Sequence, residues 1–477
     1  MFKKMIAKAF ANLSVFHAAM PSRKRKDPGV RIQTADSLLT EKQRNRLSNS
    51  TGDLQKNYAV VAWAIRKHLD YVSRFSFSAK TGDPVIDDQL ELLVANYSKK
   101  ANCDKAGRHS LRKIIRLAEA RRVLDGDVVL IKFDDGKIQA IESDRIRNPA
   151  DKGKPDADGE FAYSHGVKTD PTGMLLSMSI HRRLSNGSYV FERDVVAENL
   201  IHFGYFDAFD QIRGVSPLTA AIMDFQDCFE VKDYARAKAK VSQMFAMAFT
   251  RDSSENDYSD DEIEQSAYKV DMSGPVKLDL DPGDNVEFLE SKHPSTEFQA
   301  FIQLSLQAAI KSLDLPWSFY DESYTNFFGS KAALIQYQQS CKDKQADVQE
   351  VLNDLILWQM NRWIATGELR LPAGVIPNET LFDWIPAGMP WWDPSKEVRG
   401  DLMAVNAGLR TRTEIRKERY GDSWKDVIDK LEEEEAYMIE HNVMPIESRP
   451  AGWIIDGDNA KDDEDRKQKQ KVQNNGS

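Results

Sequence analysis

The sequence predicts an α+β protein that is mainly helical, and three observations carry that prediction. Apolar residues recur at helical spacing from Asp53, where "DLQKNYAVVAWAIRKHLDYV" puts Tyr58, Val61, Ile65 and Leu69 on one face. The period then changes: "GDVVLIKFDDGKIQAIES" reads as two strands joined around Asp134-Asp135-Gly136, a hairpin signal. Beyond "DQIRGVSPL" the chain is helical again over long stretches, broken by one acidic, turn-rich segment.

Residues 1–52 read as an arm. The start, "MFKKMIAKAFANLSVF", suits a short amphipathic helix; Lys8 interrupts its apolar run and no small-residue cleavage site follows, which argues against a signal peptide. The polar run after it contains "RKRK", a solvated basic linker with phosphate contact as its second reading. Residues 53–214 form a mixed α+β domain, with helices in "DPVIDDQLELLVANYSKKA" and "GRHSLRKIIRLAEARRVL" before the hairpin, and "MLLSMSIHRR" and "SYVFERDVVAENLIHFGYF" continuing a strand-rich region. From 215 to 248 one long helix is expected, with Ser216 as cap, Pro217 in the first turn and an apolar stripe of Leu218, Ile222, Phe225 and Phe229. Residues 249–294 are acidic and poor in apolar residues, with two strands around Asp281-Pro282-Gly283-Asp284. A helix over 295–315, capped by Ser295, ends at Pro316, and the aromatic segment 316–330, "PWSFYDESYTNFFGS", breaks the pattern. Over 331–370 a longer helix carries Leu334, Tyr337, Cys341, Val348, Leu352 and Leu355 along one seam. Within 371–455 three helices follow: one from Pro394 to Ala407 closed by Gly408, one capped by Thr411 or Thr413 and stopped by Gly421, and one in "DSWKDVIDKLEEEEAYMIEH". The tail 456–477 has almost no apolar residues and is expected to be disordered.

The length of 477 residues suits two to four domains of about 100–200 residues each, and a hydrophobic fraction of 41% allows large cores. No apolar run approaches the roughly 18 residues of a membrane span. Cys103, Cys228 and Cys341 are too far apart for a zinc motif or a disulfide framework and suit a reducing compartment, where the "NYS" and "NGS" tripeptides have no glycosylation meaning. There is no Walker loop, nucleophile elbow or H-E-x-x-H. The eight histidines are scattered, and His68 and His202 read as packing or hydrogen-bonding residues. "SDDEIEQ" offers carboxylates without a partner base or nucleophile and reads as a solvated face.

Several stretches together resemble one family. Trp392-Asp393-Pro394-Ser395-Lys396-Glu397, Asn406-Ala407-Gly408-Leu409 and Thr411-Arg412-Thr413-Glu414-Ile415, with "GDVVL", "DQIRGVSPL" and "NFFGSKAALIQ", are similar to the phage portal proteins of the lambda family, ring-shaped connectors at one vertex of a viral head. The resemblance runs from about Tyr58 to Glu435; the chain before 53 and after 455 matches nothing specific in it. It implies a portal-type fold: a mixed α/β wing (53–214), two stem helices (215–248 and 295–315), a small α/β clip (249–294), a tunnel loop (316–330), a long wing helix (331–370) and a helical upper wing and crown (371–455). It also implies a homo-oligomeric ring of about twelve subunits around a channel for double-stranded DNA, through which a packaging motor drives the genome in and the genome later leaves. That role has no catalytic residues, no cofactor and no metal. Its partners are the terminase large subunit, the head-tail adaptor and the major capsid or scaffold protein, with no membrane. The protein would nucleate head assembly in the bacterial host cytoplasm and end in the virion.

The resemblance assigns motor docking to the clip, with Asp257, Asp260, Asp261 and Glu262, and the channel constriction to the tunnel loop, with Trp317, Phe319, Tyr320, Asp321, Glu322, Tyr324, Phe327 and Phe328. Local packing on the wing is the other reading of those aromatics. A conduit must let a polyanion slide, and every neutralised phosphate adds counterion-release affinity. A net charge of −10 therefore favours weak sticking, with Lys232, Arg236, Lys238 and Lys240 of the first stem helix giving transient contacts. Asp393 and Pro394 fix a helix start, and Trp391 and Trp392 cover apolar surface within the subunit, or against the next one. Two rival functions are a metal-dependent enzyme acting on DNA through the acidic run, and a virion structural ring without a channel.

Overall fold

Apolar spacing builds the first helical layer. The computed structural model describes residues 34–149, 163–244, 247–251, 284–288, 296–321, 327–372, 374–388, 394–421 and 424–441. By its contacts the chain divides into two compact units: the described residues up to Arg74 with Asp83–Glu379, and Phe75–Gly82 with those from Thr380 onward.

In the first unit α1 (Glu41–Asn57) opens on a capping box: the Thr40 hydroxyl accepts from the Gln43 amide, and the Gln43 side chain accepts from the Thr40 amide at 2.9 Å. The arm expected over 1–52 is thus corrected from residue 41 on. Arg44 and Thr51 are buried because Arg44 donates to Gly214 O at 2.6 Å and Thr51 to Leu124 O at 2.8 Å. Residues 1–33, with most of the arm, lie outside the described residues. On α2 (Ala59–Val72) the stripe of Val61, Ile65, Leu69 and Val72 is buried. The next strand, β1 (Phe75–Ala79), belongs to the second unit, so the continuous domain expected over 53–214 is interrupted. Asp83 caps α3 (Pro84–Tyr97), accepting from the Val85 amide at 3.0 Å, with Pro84 in the first turn.

At Gly126, φ 98°, α4 (Leu111–Asp125) turns directly into β2 (Asp127–Lys132). β2 is buried along nearly its whole length and pairs antiparallel with β3 (Ile138–Glu142) across the turn at Asp134–Gly136. That turn is docked on the long helix described next, where Arg362 donates to Asp134 O at 2.6 Å. β4 (Tyr163–Ser164), β5 (Val167–Thr169), β6 (Leu175–Arg183) and β7 (Tyr189–Val196) form a second antiparallel sheet in chain order. β8 (Leu200–Gly204) returns to the other edge of β2. Val129, Ile131 and Ile141 of one sheet and Val167, Met178 and Ile180 of the other close a shared core.

Ser216 accepts from the Leu218 amide at 3.1 Å, and Pro217 starts a 3-10 turn that runs into α5 (Ile222–Met244). The helix expected to 248 therefore ends early. β9 (Met247–Arg251) follows it and pairs antiparallel with β10 (Asp284–Phe288), Met247 opposite Phe288 and Arg251 opposite Asp284. Phe249, Thr250, Val286 and Phe288 are residues that favour strands. The partner of 284–288 is thus β9, where a strand just upstream of Asp281 was expected; residues 252–283 lie outside the described residues. α6 (Thr296–Ile310) leads through a 3-10 turn to Asp314, whose left-handed φ of 61° ends the element before Pro316 is reached. α7 (Phe327–Thr366) starts ahead of the expected residue 331, which takes Phe327 and Phe328 out of the loop and into a first helical turn. The residue before it in sequence is Asn326, a type that favours the cap position. Tyr337, Cys341, Val348, Leu352 and Leu355 are buried along one seam of α7.

The second unit pairs β1 with β11 (Phe382–Pro386) in an antiparallel ladder, and Phe77 packs on Phe382 and Trp384 at ring distances of 5.6 and 5.1 Å. Asp383 pairs with Lys80 at 2.8 Å and with Lys417. Three helices follow: α8 (Pro394–Asn406), α9 (Arg412–Tyr420) and α10 (Trp424–Glu440). α9 has a capping box between Thr411 and Glu414 and ends on Gly421 at φ 69°. Arg419 ties α9 to Glu397 of α8 at 3.2 Å.

One buried polar hub joins the elements of the first unit. Asp127, at the start of β2, accepts from Arg213 at 2.6 and 3.0 Å, from the Gly214 amide at 3.0 Å and from the Ser143 hydroxyl at 2.5 Å. Arg213 also donates to the carbonyls of Ser143, Ile146 and His165. Gly126 and Gly214 sit backbone to backbone, so a Cβ on Gly126 would meet Gly214 O at 2.5 Å. Nearby, Glu119 on α4 accepts from Arg122 at 2.8 Å and lies 2.6 Å from His68 Nε2, while Arg122 reaches Asp347 on α7 at 2.6 Å.

Burial alone would raise the Asp127 pKa, but Arg213 and its hydrogen bonds outweigh that and hold it well below the usual carboxylate range. Glu119 is likewise raised by burial and lowered further by Arg122 and His68, with a net decrease. Burial lowers His68 more than Glu119 raises it, so the imidazole is neutral and donates from Nε2.

Two outcomes follow from this hub. Gly126→Ala forces a β-carbon into left-handed backbone and against Gly214, and should cost at least about 1–3 kcal/mol; Arg213→Met, which leaves Asp127 buried and unpaired, should cost about 3–5 kcal/mol. Denaturant midpoints below the parent for both would agree, and unchanged midpoints would not. The pH dependence has one sign. Asp127 and Glu119 have depressed folded pKa values, so their contribution is present above the unfolded values near 4 and is lost as pH falls through the folded ones. His68, also depressed, is protonated first in the unfolded chain, so its contribution falls below about pH 6.5. Thermal midpoints should drop from pH 7.5 to 5 and more steeply below about 4.

Candidate functional site

The residues that the sequence singles out for the channel and as a structural motif fall into three places. The first is α5, whose charges are segregated along its length. Asp224, Asp227 and Glu230 come first, Lys232 and Asp233 sit next to each other at the middle, and Arg236, Lys238 and Lys240 follow. Asp224 lies in the first turn, where the helix dipole favours a negative charge. All four basic side chains are exposed. Lys232, Arg236 and Lys240 follow one another at four-residue spacing and share a face, with Lys238 on another. Arg236 pairs with Asp233 at 3.5 Å on the exposed surface, which leaves its guanidinium accessible. Ile222, Phe225 and Cys228 are buried on the same side of the helix nearer its start, so the basic row continues that stripe where the helix leaves its packing partners.

The second place is the segment after α6. Its described aromatics pack on the helices around them. Phe319 stacks on Tyr71 of α2 at 5.8 Å and meets Tyr337 of α7 edge-on at 5.3 Å. Tyr320 meets Trp63 of α2 at 5.7 Å and Trp317 at 4.8 Å. Tyr71 and Tyr337 close the group at 5.3 Å. Such offset and edge-to-face pairs each contribute about 0.5–1.5 kcal/mol beyond their burial. The turn that precedes them is pinned where Lys344 of α7 pairs with Asp314 at 2.6 Å. Trp317 and Phe319 are half-buried, and only Tyr320 is exposed. Trp317 and Phe319 thus pack as a local cluster with the neighbouring helices, and Tyr320 lies at its exposed edge. Asp321 is half-buried; Glu322 and Tyr324, with the side chains of Phe327 and Phe328, lie outside the described residues.

Several titratable groups in and near this cluster are held in their neutral form. Burial pushes the Cys341 thiol up to about 11 and Tyr58 up to about 12, and raises Tyr71 and Tyr337, so all stay protonated near neutral pH. Burial likewise raises Cys103 to about 11. A thiol so placed is a poor nucleophile. Among the described residues no group of three or more His, Cys, Asp or Glu is arranged to hold a metal, and no helix is long and apolar enough to cross a membrane.

The third place is the start of α8. Pro394 is its first residue. Trp391, Trp392 and Asp393 lie outside the described residues, as do Asp257, Asp260, Asp261 and Glu262 of the acidic insertion.

The histidines singled out in the sequence have hydrogen-bonding roles: His68 pairs with Glu119, and His202 Nε2 is 3.3 Å from Asp127. Sequence reasoning missed the charged groups that organise the first unit, Asp127 and Arg213 with Glu119 and Arg122. The signal was present in "GDVVL" and "DQIRGVSPL", which the fold brings into contact through Gly126, Asp127, Arg213 and Gly214.

Comparison with known proteins places this architecture. The family model for the phage portal protein of the lambda family matches residues 22–345. That span includes both hub motifs and ends before the Trp392–Glu397 stretch. The chain is 22% identical over 389 residues, 75% of its length, to 72% of the "Probable portal protein" of Halomonas phage phiHAP-1. Among solved structures it is similar to a chain in the neck of a native gene transfer agent particle computed with C12 symmetry, with TM-score 0.44 and 13% identity over 77% of this chain and 92% of that one. It is also similar to an HK97 family phage portal protein from Corynebacterium diphtheriae, with TM-score 0.33 and 13% identity over 64% and 88%. The match over more than half of the chain settles the family: this chain belongs to the lambda family of phage portal proteins.

Proposed function

We propose that this portal protein assembles into a closed ring of about twelve copies around a channel that passes double-stranded DNA. The observation that carries the reading is the aligned, exposed row of Lys232, Arg236 and Lys240 on α5, in a chain whose net charge is −10. A few cations on an otherwise repelling wall hold the duplex centrally without arresting it, because affinity grows with each phosphate neutralised. In this reading α5 and α6 are the two stem helices, and the β9–β10 hairpin is the root of the clip. The chain from 53 to 214 and helix α7 make the wing, and α8–α10 make the upper wing and crown. Asp257, Asp260, Asp261 and Glu262 present the clip to the terminase large subunit and later to the head-tail adaptor. Major capsid or scaffold protein meets the ring during head assembly in the host cytoplasm, and the ring stays in the virion. Of the tunnel loop, the stretch from Asp321 to Asn326 faces the DNA, while Trp317, Phe319 and Tyr320 anchor it to α2 and α7. The portal itself performs no catalysis.

Electron micrographs and mass photometry of the purified chain should show closed rings, with eleven to thirteen copies tolerable outside the virion. Incubation with labelled duplex and magnesium or manganese should leave the DNA intact; cleavage abolished by substituting Asp260, Asp261 and Glu262 would overturn the channel-only reading.

Reversing Lys232, Arg236 and Lys240 together to Glu should leave rings intact and lower DNA affinity, and the slope of log K against log salt should shrink by roughly one per lost phosphate contact. An unchanged slope would remove these residues from the channel wall.

Shortening the loop between Asp321 and Asn326 should preserve rings and impair genome retention. Phe319→Ala should instead cost about 3–5 kcal/mol of stability if that side chain acts as a packed anchor. Normal retention in the shortened variant would exclude a channel role for that stretch.

A further inference from the structure

On one side of the first unit, the β5–β6 turn and the connection from β8 to α5 enclose an open basin of about 860 Å3. Its floor is apolar, with Val167, Leu175 and Ile212. Its lip is both apolar and acidic. Phe209 is completely exposed, at 110% of its reference area, and Phe206 and Met174 are also exposed. Asp207 and Asp210 flank Phe209 in the sequence, are exposed, and make no ion pair among the described residues. Two aromatic rings left in water beside unpaired carboxylates make a surface suited to an apolar and basic partner.

We infer that the occupant is the N-terminal segment of the same chain, residues 1–20. Two observations favour it over other partners. The first is where the described chain begins. Asp36 is fastened beside the basin: its carboxylate accepts from the Ile212 amide at 2.6 Å and from the Arg213 amide at 3.3 Å, and its carbonyl lies 2.9 Å from His165 Nε2. Ile212 is itself a wall of the basin. The residues between 20 and Asp36 extend over as much as about 50 Å, far more than the reach required. The second observation is chemical complementarity. Phe2, Met5, Ile6, Ala9, Phe10 and Leu13 are spaced as one face of a helix, with Lys4 and Lys8 opposite. Between residues 1 and 26 there are seven basic side chains (Lys3, Lys4, Lys8, Arg23, Lys24, Arg25 and Lys26) and no acidic one. An apolar stripe meets Phe206, Phe209 and the floor, and the flanking lysines meet Asp207 and Asp210. The mode is that of an amphipathic helix laid in a groove.

Hydrogen–deuterium exchange on the full chain tests this. Amides of residues 2–16 should exchange at least about tenfold more slowly than in a free peptide of residues 1–20. Phe209→Asp, at a side chain that supports no core, should return them to the peptide rate while the amides of β2 stay protected. Phe10→Asp should do the same from the other side of the contact. Peptide-like exchange in the parent chain, or protection that survives Phe209→Asp, would overturn the proposal. Lys8→Cys with Asp210→Cys should cross-link within one chain under oxidation. Cross-links found solely between chains would assign the basin to a second copy and equally overturn it.

Discussion

The Asp127–Arg213 pair is the constraint on which the first unit depends. A buried ion pair gains little net stability over an apolar pair of the same shape, but breaking it is expensive. Its role here is therefore one of specification. Arg213 makes contacts that only one arrangement of the carbonyls of Ser143, Ile146 and His165 can satisfy, so it sets the two sheets and the entry to α5 in a single register. Gly126 and Gly214 permit it by letting the two backbones touch. The start of the long helix is thus fixed by the same group that starts the central strand. Arg122 extends the arrangement by joining α4 to α7 and lying over the rings of Phe203 and Tyr205.

Much of the local structure was legible in the sequence. The stripe from Val61 to Leu69, the turn at Asp134–Gly136, the Ser216-Pro217 start, the Thr411–Glu414 box and the Gly421 stop were all readable, because each is decided by residues within one or two turns. Three features were not. β1 pairs with β11 across roughly 300 residues of sequence, and periodicity carries no information about partners. The hub residues look like ordinary surface charges, since Asp, Glu and Arg are seldom buried; Asp127 gives itself away only once Arg213 is beside it. The end of α5 was misplaced because "MFAMAFTR" keeps apolar spacing compatible with a helix, while pairing with 284–288 selects a strand. For the candidate site, the basic row on α5 could be read directly, whereas the packing of Trp317, Phe319 and Tyr320 required the positions of Tyr71, Trp63 and Tyr337.

The chemistry of the described surface agrees with a conduit. The thiols of Cys103 and Cys341 and the phenols of Tyr58, Tyr71 and Tyr337 are kept protonated by burial, and His68 and His202 are hydrogen-bond partners of buried carboxylates. Accessible charge is arranged in blocks: mostly acids then mostly bases along α5, and carboxylates around Phe209. In the channel role proposed above, the placement of charge is the main variable available.

The β9–β10 hairpin has a consequence for how this protein family can diversify. With Arg251 opposite Asp284, the two ends of the intervening segment are already brought together by backbone pairing. For a flexible connection between paired ends, the loop-closure entropy grows only as the logarithm of length, about 0.6 kcal/mol per doubling. In the proposed reading, where that segment docks a partner, its sequence could change with the partner while the ladder still holds its two ends. The hairpin would then act as a socket, separating the part of the molecule that fits the partner from the part that keeps its shape.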